Sequence, residues 1–169
     1  GLAEAHSFSV VHRDLKPSNL FVTTRRDGTE LIKVLDFGIS KANLVSSSDL
    51  EDLTAAGALL GSPKYMSPEQ LTNTAQVDER SDVWSLGVVL YEMLAGTPPF
   101  VADTHAATCM RVLGTELPPS LCARRPNVPP ELETAIFRAL ERDLNRRTPN
   151  VAEFAKDVID AVGALVPHQ

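Results

Sequence analysis

Between two apolar runs, residues 12–19 read His-Arg-Asp-Leu-Lys-Pro-Ser-Asn: an imidazole, two cations, one acid and a carboxamide in eight positions. That mix suits phosphoryl transfer, which asks for little covalent help from a protein. A carboxylate orients an attacking hydroxyl and takes its proton, a cation sits beside the migrating phosphate, and oxygen ligands hold Mg²⁺. Asp14, Lys16 and Asn19 offer these groups on one loop. Asp36 follows seventeen residues after Asn19, just before Phe37 and Gly38. Carboxylate and carboxamide oxygens suit a hard ion that keeps several waters and is completed by nucleotide phosphates. Gly38 lets the backbone turn sharply after the acid.

Something must hold Asp36 close to the first loop. "NLFVTT" and "LIKVLDF" are β-rich runs around an Asp27-Gly28 turn, the pattern of a hairpin. The polar loop then leads into the first strand, and Asp36 ends the second. "SFSVV" before His12 is a further short strand candidate. Residues 39–63 show no clear periodicity, and a loop that long inside a compact domain is functional or disordered. "SPKYMSPEQ" is turn-rich, with Pro63 and Pro68 blocking regular helix. Ser81 is the candidate N-cap of "DVWSLGVVLYEMLAG", apolar nearly all round and therefore a buried helix. Gly96, Pro98 and Pro99 stop it.

Three more helices follow. "DTHAATCMRVLG" is short. "PPELETAIFRALERD" has Pro130 near its start and Leu132, Ile136 and Leu140 at four-residue spacing. "NVAEFAKDVIDAVGAL" carries a stripe of Val151, Phe154, Ala155, Val158, Ile159 and Val162, read as core. The expected fold class is α+β, mainly α: a helical bundle around a buried central helix, with a small β-hairpin beside it.

The 169 residues are 43% apolar and 22% charged, as in ordinary globular proteins. No apolar run approaches the ~20 residues needed to span a bilayer. A formal charge of −6 without an evident basic face argues against nucleic acid as the main partner. The basic cluster Arg142 to Arg147, broken by Asp143, reads as a solvated helix end. Cys109 and Cys122 are too few for a zinc site and read as reduced thiols of a cytoplasmic protein.

"HRDLKPSN" followed by "DFG" resembles the catalytic and metal-binding segments of protein kinases. The likeness continues in order. "GSPKYMSPEQ" is similar to the end of an activation segment, "SDVWSLGVVLYEMLAGTPPF" to the buried helix of the large lobe, and "RDLNRRTPNVAEF" to the segment closing that lobe. The surroundings of Tyr65 and "TPPF" resemble bacterial serine/threonine kinases.

The resemblance implies a role for each matching residue. Asp14 is the base, Lys16 neutralises the γ-phosphate and contacts the acceptor hydroxyl, and Asn19 and Asp36 hold Mg²⁺. His12 and Phe37 pack beneath the site. Phe21 forms the apolar floor under adenine, although its context equally fits a core strand. Asp82 accepts backbone hydrogen bonds from the catalytic loop. Glu69 and Arg147 form a buried ion pair. Ser62 lines the acceptor pocket, and Arg13 receives an activation-loop phosphate, for which Thr54 is the favoured site. Implied partners are ATP, Mg²⁺ and a protein bearing the acceptor Ser or Thr.

The family's glycine-rich loop, nucleotide-gripping lysine and partner glutamate have no counterpart in these residues. "GLAEAHS" resembles the last turns of a helix whose start lies upstream of Gly1. The expectation is a partial kinase domain over residues 1–165, the large C-terminal lobe without its small N-terminal lobe, and a tail over 166–169. Such a lobe alone gives ATP a floor without a roof. The alternative is a catalytically silent lobe serving as a protein-binding module. The joint presence of Asp14, Lys16, Asn19 and Asp36 favours an enzyme.

Overall fold

The computed structural model describes residues 1–36 and 63–163. Helix α1 (Leu2–Ser7) opens the chain and ends in a tight reversal, with the Phe8 and Val10 amides both donating to the Ala5 carbonyl. Ser9 sits there at φ 58°. The expected strand at "SFSVV" is therefore a turn, and Phe8 is 75% exposed. A short β-rich run without a partner strand cannot satisfy its backbone as a strand, and here the helix end takes those amides instead.

The hairpin forms as expected. Strand β1 (Leu20–Thr24) pairs antiparallel with β2 (Glu30–Val34), from Leu20 opposite Val34 to Thr24 opposite Glu30. Gly28 takes φ 84° in the connecting loop. The Asp27 carboxylate accepts from the Thr29 hydroxyl at 2.7 Å and its amide at 3.0 Å. These bonds hold the Asp27 carboxyl below its ordinary range. Strand β2 stops at Val34, so Asp36 lies two residues past the strand rather than at its end.

Beyond the hairpin the described chain is helical: α2 (Pro68–Thr72), α3 (Glu79–Ala95), α4 (His105–Leu113), α5 (Leu121–Arg124), α6 (Pro130–Ala139) and α7 (Val151–Gly163). Short 3₁₀ turns cover Pro17–Asn19, Pro63–Tyr65 and Thr74–Gln76. Pro68 does not block a helix but begins one, because its missing N–H costs nothing at the first helical position.

Helix α3 is the axis of the core. Val83, Trp84, Val88, Val89 and Tyr91 are buried along it, and Gly96 closes it at φ 79°. It starts earlier than Ser81. Asp78 is the N-cap, accepting from the Arg80 amide, and Ser81 is buried inside the first turns. Leu132, Ile136 and Leu140 pack into the same core from α6 and its end.

The α7 stripe is narrower than expected. Phe154 and Ala161 are buried and Val151 and Val158 half-buried, whereas Ala155 and Val162 are exposed and Ile159 is 67% exposed. The apolar packing on the core is made by the face spaced 151, 154, 158, 161.

The α3–α6 approach depends on Gly87. A Cβ there would stand 3.0 Å from the Ala139 Cβ and 3.2 Å from a Leu140 methyl. Ala139 cannot swing away, since its Cβ is fixed to the helix backbone. Gly87→Val is expected to destabilise by about 2 kcal/mol through overpacking, read as a lower urea midpoint at unchanged m-value. An unchanged midpoint would show that the helices can separate freely.

Two cationic side chains brace this core, against the expectation of a solvated basic cluster. Phe100 stacks on Trp84 with centroids 5.5 Å apart. Arg142 lies 4.9 Å from the Phe100 ring and Arg147 5.1 Å from the Trp84 ring, giving a ladder Arg142–Phe100–Trp84–Arg147. Arg142 also donates to the carbonyls of Val112, Arg111 and Glu116. Arg146 alone of the three is exposed. Long basic side chains can bury their stems along apolar surface while their heads find polar partners, which composition does not reveal.

Among the described residues no helix is long and apolar enough to cross a membrane. The expected boundary at residue 165 lies outside them.

Candidate active site

The loop over residues 11–16 runs into a single 3₁₀ turn at Pro17–Asn19 and then into β1. Pro17 begins the turn, and the Asn19 amide closes it on the Lys16 carbonyl at 2.9 Å. That compact geometry gathers the polar side chains. The Lys16 ammonium reaches the Asp14 carboxylate at 3.0 Å. Asn19 Nδ2 donates to the Asp14 carbonyl at 2.8 Å and to its carboxylate at 3.3 Å. With the amide nitrogen committed to Asp14, the Asn19 side-chain oxygen is the atom that would face a ligand.

The sheet sets the backbone that leads to Asp36 beside Asn19. The Leu35 amide donates to the Asn19 carbonyl at 2.9 Å, one step beyond the Leu20–Val34 pair. Asp36 follows at φ 54° with an exposed side chain. Aspartate tolerates this left-handed conformation better than most residues. His12 ties the two segments together. Its Nε2 bonds the Leu35 carbonyl at 2.9 Å, and its Nδ1 accepts from the Asp14 amide at 3.2 Å. One ring thus donates toward the Asp36 segment and accepts from Asp14, the pattern of a neutral imidazole protonated at Nε2. The expected packing of His12 on Phe37 lies outside the described residues, as do Gly38, Thr54 and Ser62.

Among the described residues no three His, Cys, Asp or Glu side chains gather into a metal cage. Asn19 and Asp36 would offer two hard oxygens, a donor type that suits a divalent ion such as Mg²⁺, which keeps several waters and is completed by phosphate oxygens. Phe21 is 61% exposed on β1, so its reading as a core strand position fails and an open apolar ring remains.

The loop is hung from α3. Asp82 is fully buried, and its carboxylate accepts from the His12 amide at 2.8 Å and the Arg13 amide at 2.9 Å. It lies in the first turn of α3, and its side chain is spent on the loop amides. Asp82 Oδ2 also meets His6 Nε2 at 2.8 Å. His6 Nδ1 stands 3.5 Å from a Glu79 oxygen without a formed hydrogen bond. Sequence reasoning passed over His6. Its signal is a lone histidine near the end of α1, six residues before His12, with no apolar periodicity to account for it.

Glu69 and Arg147 meet in the interior. The pair is two-pronged, at 2.7 and 3.0 Å, with Arg147 only 2% exposed. The remaining Arg147 donors go to the carbonyls of Arg80 and Glu141, and the Ser81 hydroxyl donates to Glu69. Burial pushes the Glu69 carboxyl up, but the bonds from Arg147 and Ser81 outweigh it, and the group lies below its ordinary range. The Tyr65 hydroxyl donates to Glu92 on α3 at 2.6 Å, and burial followed by that carboxylate raises the phenol. These contacts fasten residues 65–72 to the helical body.

The protein kinase domain family matches residues 1–159. The serine/threonine-protein kinase pkn3 of Myxococcus xanthus is 43% identical over 163 residues, covering 95% of this chain and 29% of that protein. The serine/threonine-protein kinases PknB of Mycolicibacterium smegmatis and Mycobacterium tuberculosis are 37% and 36% identical over 156 residues. Each alignment covers 92% of this chain and 23% of the relative. The chain therefore spans less than a third of the length of these relatives. With its ordered motifs, mainly helical build and two-stranded sheet, the chain belongs to the protein kinase family.

Proposed function

We propose that these residues form the large lobe of a serine/threonine protein kinase, supplying the base and the metal ligands for transfer of the ATP γ-phosphate to a protein hydroxyl. The observation that supports this most directly is the union of one loop and one hairpin end. Lys16 and Asn19 both bond Asp14, and the Leu35–Asn19 hydrogen bond brings Asp36 alongside. In this reading the acceptor hydroxyl's proton goes to the Asp14 carboxylate as its oxygen forms the new bond to phosphorus and the bond to ADP breaks. Lys16 lies beside that carboxylate and offsets the charge of the phosphate. Asn19 and Asp36 would hold Mg²⁺, which supplies charge neutralisation at the phosphate oxygens. Phe21 would bear the adenine on its exposed ring. The reaction needs ATP, and the cytoplasm is where that nucleotide is found.

The buried Glu69–Arg147 pair would fix the segment that presents the acceptor. Arg13 would take the phosphate of a modified loop residue, with Thr54 its favoured site and Ser62 lining the acceptor pocket. Grip on the nucleotide phosphates would come from a glycine-rich lobe that these residues do not encode. The test is phosphotransfer from Mg·ATP to a generic basic protein substrate. The 169 residues alone are expected to show none, and the same residues joined to a glycine-rich, lysine-bearing lobe are expected to turn over. Robust transfer by the lobe alone would overturn the division of labour, and inactivity of the joined domain would overturn the kinase reading.

A further inference from the structure

Arg13 adopts φ 66°, a left-handed conformation that a long side chain does not favour. A non-glycine residue persists there only where its surroundings over-determine it. Its amide is held by Asp82. Its carbonyl is held by a residue 57 positions away: Gln70 Nε2 donates to the Arg13 oxygen at 2.7 Å. The other end of that same peptide unit, the Asp14 amide, is held by His12 Nδ1. The peptide bond entering Asp14 is thus clamped at both ends by side chains.

Gln70 has a second commitment. Its Oε1 accepts from the Ser67 amide at 3.0 Å and the Ser67 hydroxyl at 3.2 Å, the reciprocal cap that starts α2. A capping role alone would leave the amide nitrogen to solvent, and here it points across to the loop. The neighbouring Glu69 is locked to Arg147, so α2 is a fixed post. A carboxamide is suited to this place because one end accepts and the other donates. Glutamate would keep the cap and lose the donor. Lysine would keep a donor and lose the cap.

We propose that Gln70 is a positioning residue for Asp14: it transfers the fixed position of α2 to the peptide plane that aims the base. The inference rests on Asp14 as base, and its first test does not.

In the 169-residue chain, amide hydrogen exchange is followed by NMR for wild type, Gln70→Glu and Gln70→Lys. Losing one such hydrogen bond is expected to speed exchange at Arg13 and Asp14 about fivefold or more in Gln70→Glu, with Ser67 and the α3 core amides unchanged. Gln70→Lys is expected to keep Arg13 and Asp14 protected while Ser67 exchanges faster. Wild-type exchange at Asp14 in Gln70→Glu, or an equal rise at every amide, overturns the clamp.

In the domain joined to its nucleotide-gripping lobe, Gln70→Glu is expected to lower kcat about tenfold at unchanged KM for ATP, as misaimed catalytic groups do. A loosened Asp14 amide with unchanged kcat overturns the positioning role. Failure of the base assignment has a separate signature, an unaltered rate in Asp14→Asn.

Discussion

Asp14→Asn, made in the domain joined to a nucleotide-gripping lobe, is expected to lower kcat by about 10²- to 10⁴-fold, the ordinary worth of a positioned general base. The substitution changes one oxygen to an amide and keeps the shape. Asn19 can still donate to the Asp14 main-chain carbonyl, and His12 can still take the residue-14 amide. The loop should therefore hold its form, and KM for ATP should stay where it was. What disappears is the proton acceptor and the partner of Lys16. Steady-state kinetics with ATP varied separate the outcomes. A fall in kcat at constant KM supports the base, a rise in KM alone makes Asp14 a binding residue, and an unaltered rate removes it from the chemistry.

The second large effect concerns stability. Arg147→Met leaves the Glu69 carboxylate in the interior with the Ser81 hydroxyl as its remaining named side-chain donor, and Glu69→Ala strands the guanidinium. Either single change is expected to cost on the order of 3–5 kcal/mol, because an uncompensated buried charge is far dearer than the net worth of the pair. The double replacement Glu69→Leu with Arg147→Met should recover much of that loss. Urea unfolding followed by circular dichroism measures all three, and additive losses in the double variant would deny the coupling.

Acid tests the same pair without mutation. The folded-state pKa of Glu69 lies below its unfolded value. Its contribution is therefore fully present above the ordinary glutamate range and is lost as pH falls through the folded pKa. The wild type should lose stability across that acid window, and Glu69→Leu/Arg147→Met should lose less over the same window.

The residues of the proposed centre stand out in the sequence because phosphoryl transfer restricts their types. A base, a cation and two hard ligands are what Asp14, Lys16, Asn19 and Asp36 would supply, and nothing in ordinary packing asks for that combination. The hairpin was legible through Asp27-Gly28, whose φ requirement few other residues meet. The start of α3 was not. Asp78 and Ser81 are both good caps, and the choice between them is made by Glu69, which takes the Ser81 hydroxyl from twelve residues upstream. Tertiary claims of that kind leave no local trace.

His6 and Gln70 escaped for the same reason. Each looks local, one a histidine on a short helix and the other the last letter of an S-x-x-Q cap, and only after the chain has folded does Gln70 reach the loop and His6 the Asp82 that holds it. The width of the α7 stripe was equally hidden, since Ile159 is apolar in sequence but lies off the line where α3 and α6 make contact.

The chain has a single tryptophan, and it stands in the middle of the ladder between Phe100 and the Arg147 guanidinium. Its indole is wholly buried and lies in contact with the very side chain that locks Glu69. Light emitted by Trp84 consequently carries information about one spot only, the junction of α3 with the ion pair. The molecule contains its own optical gauge of that joint, and no label is needed to see it open.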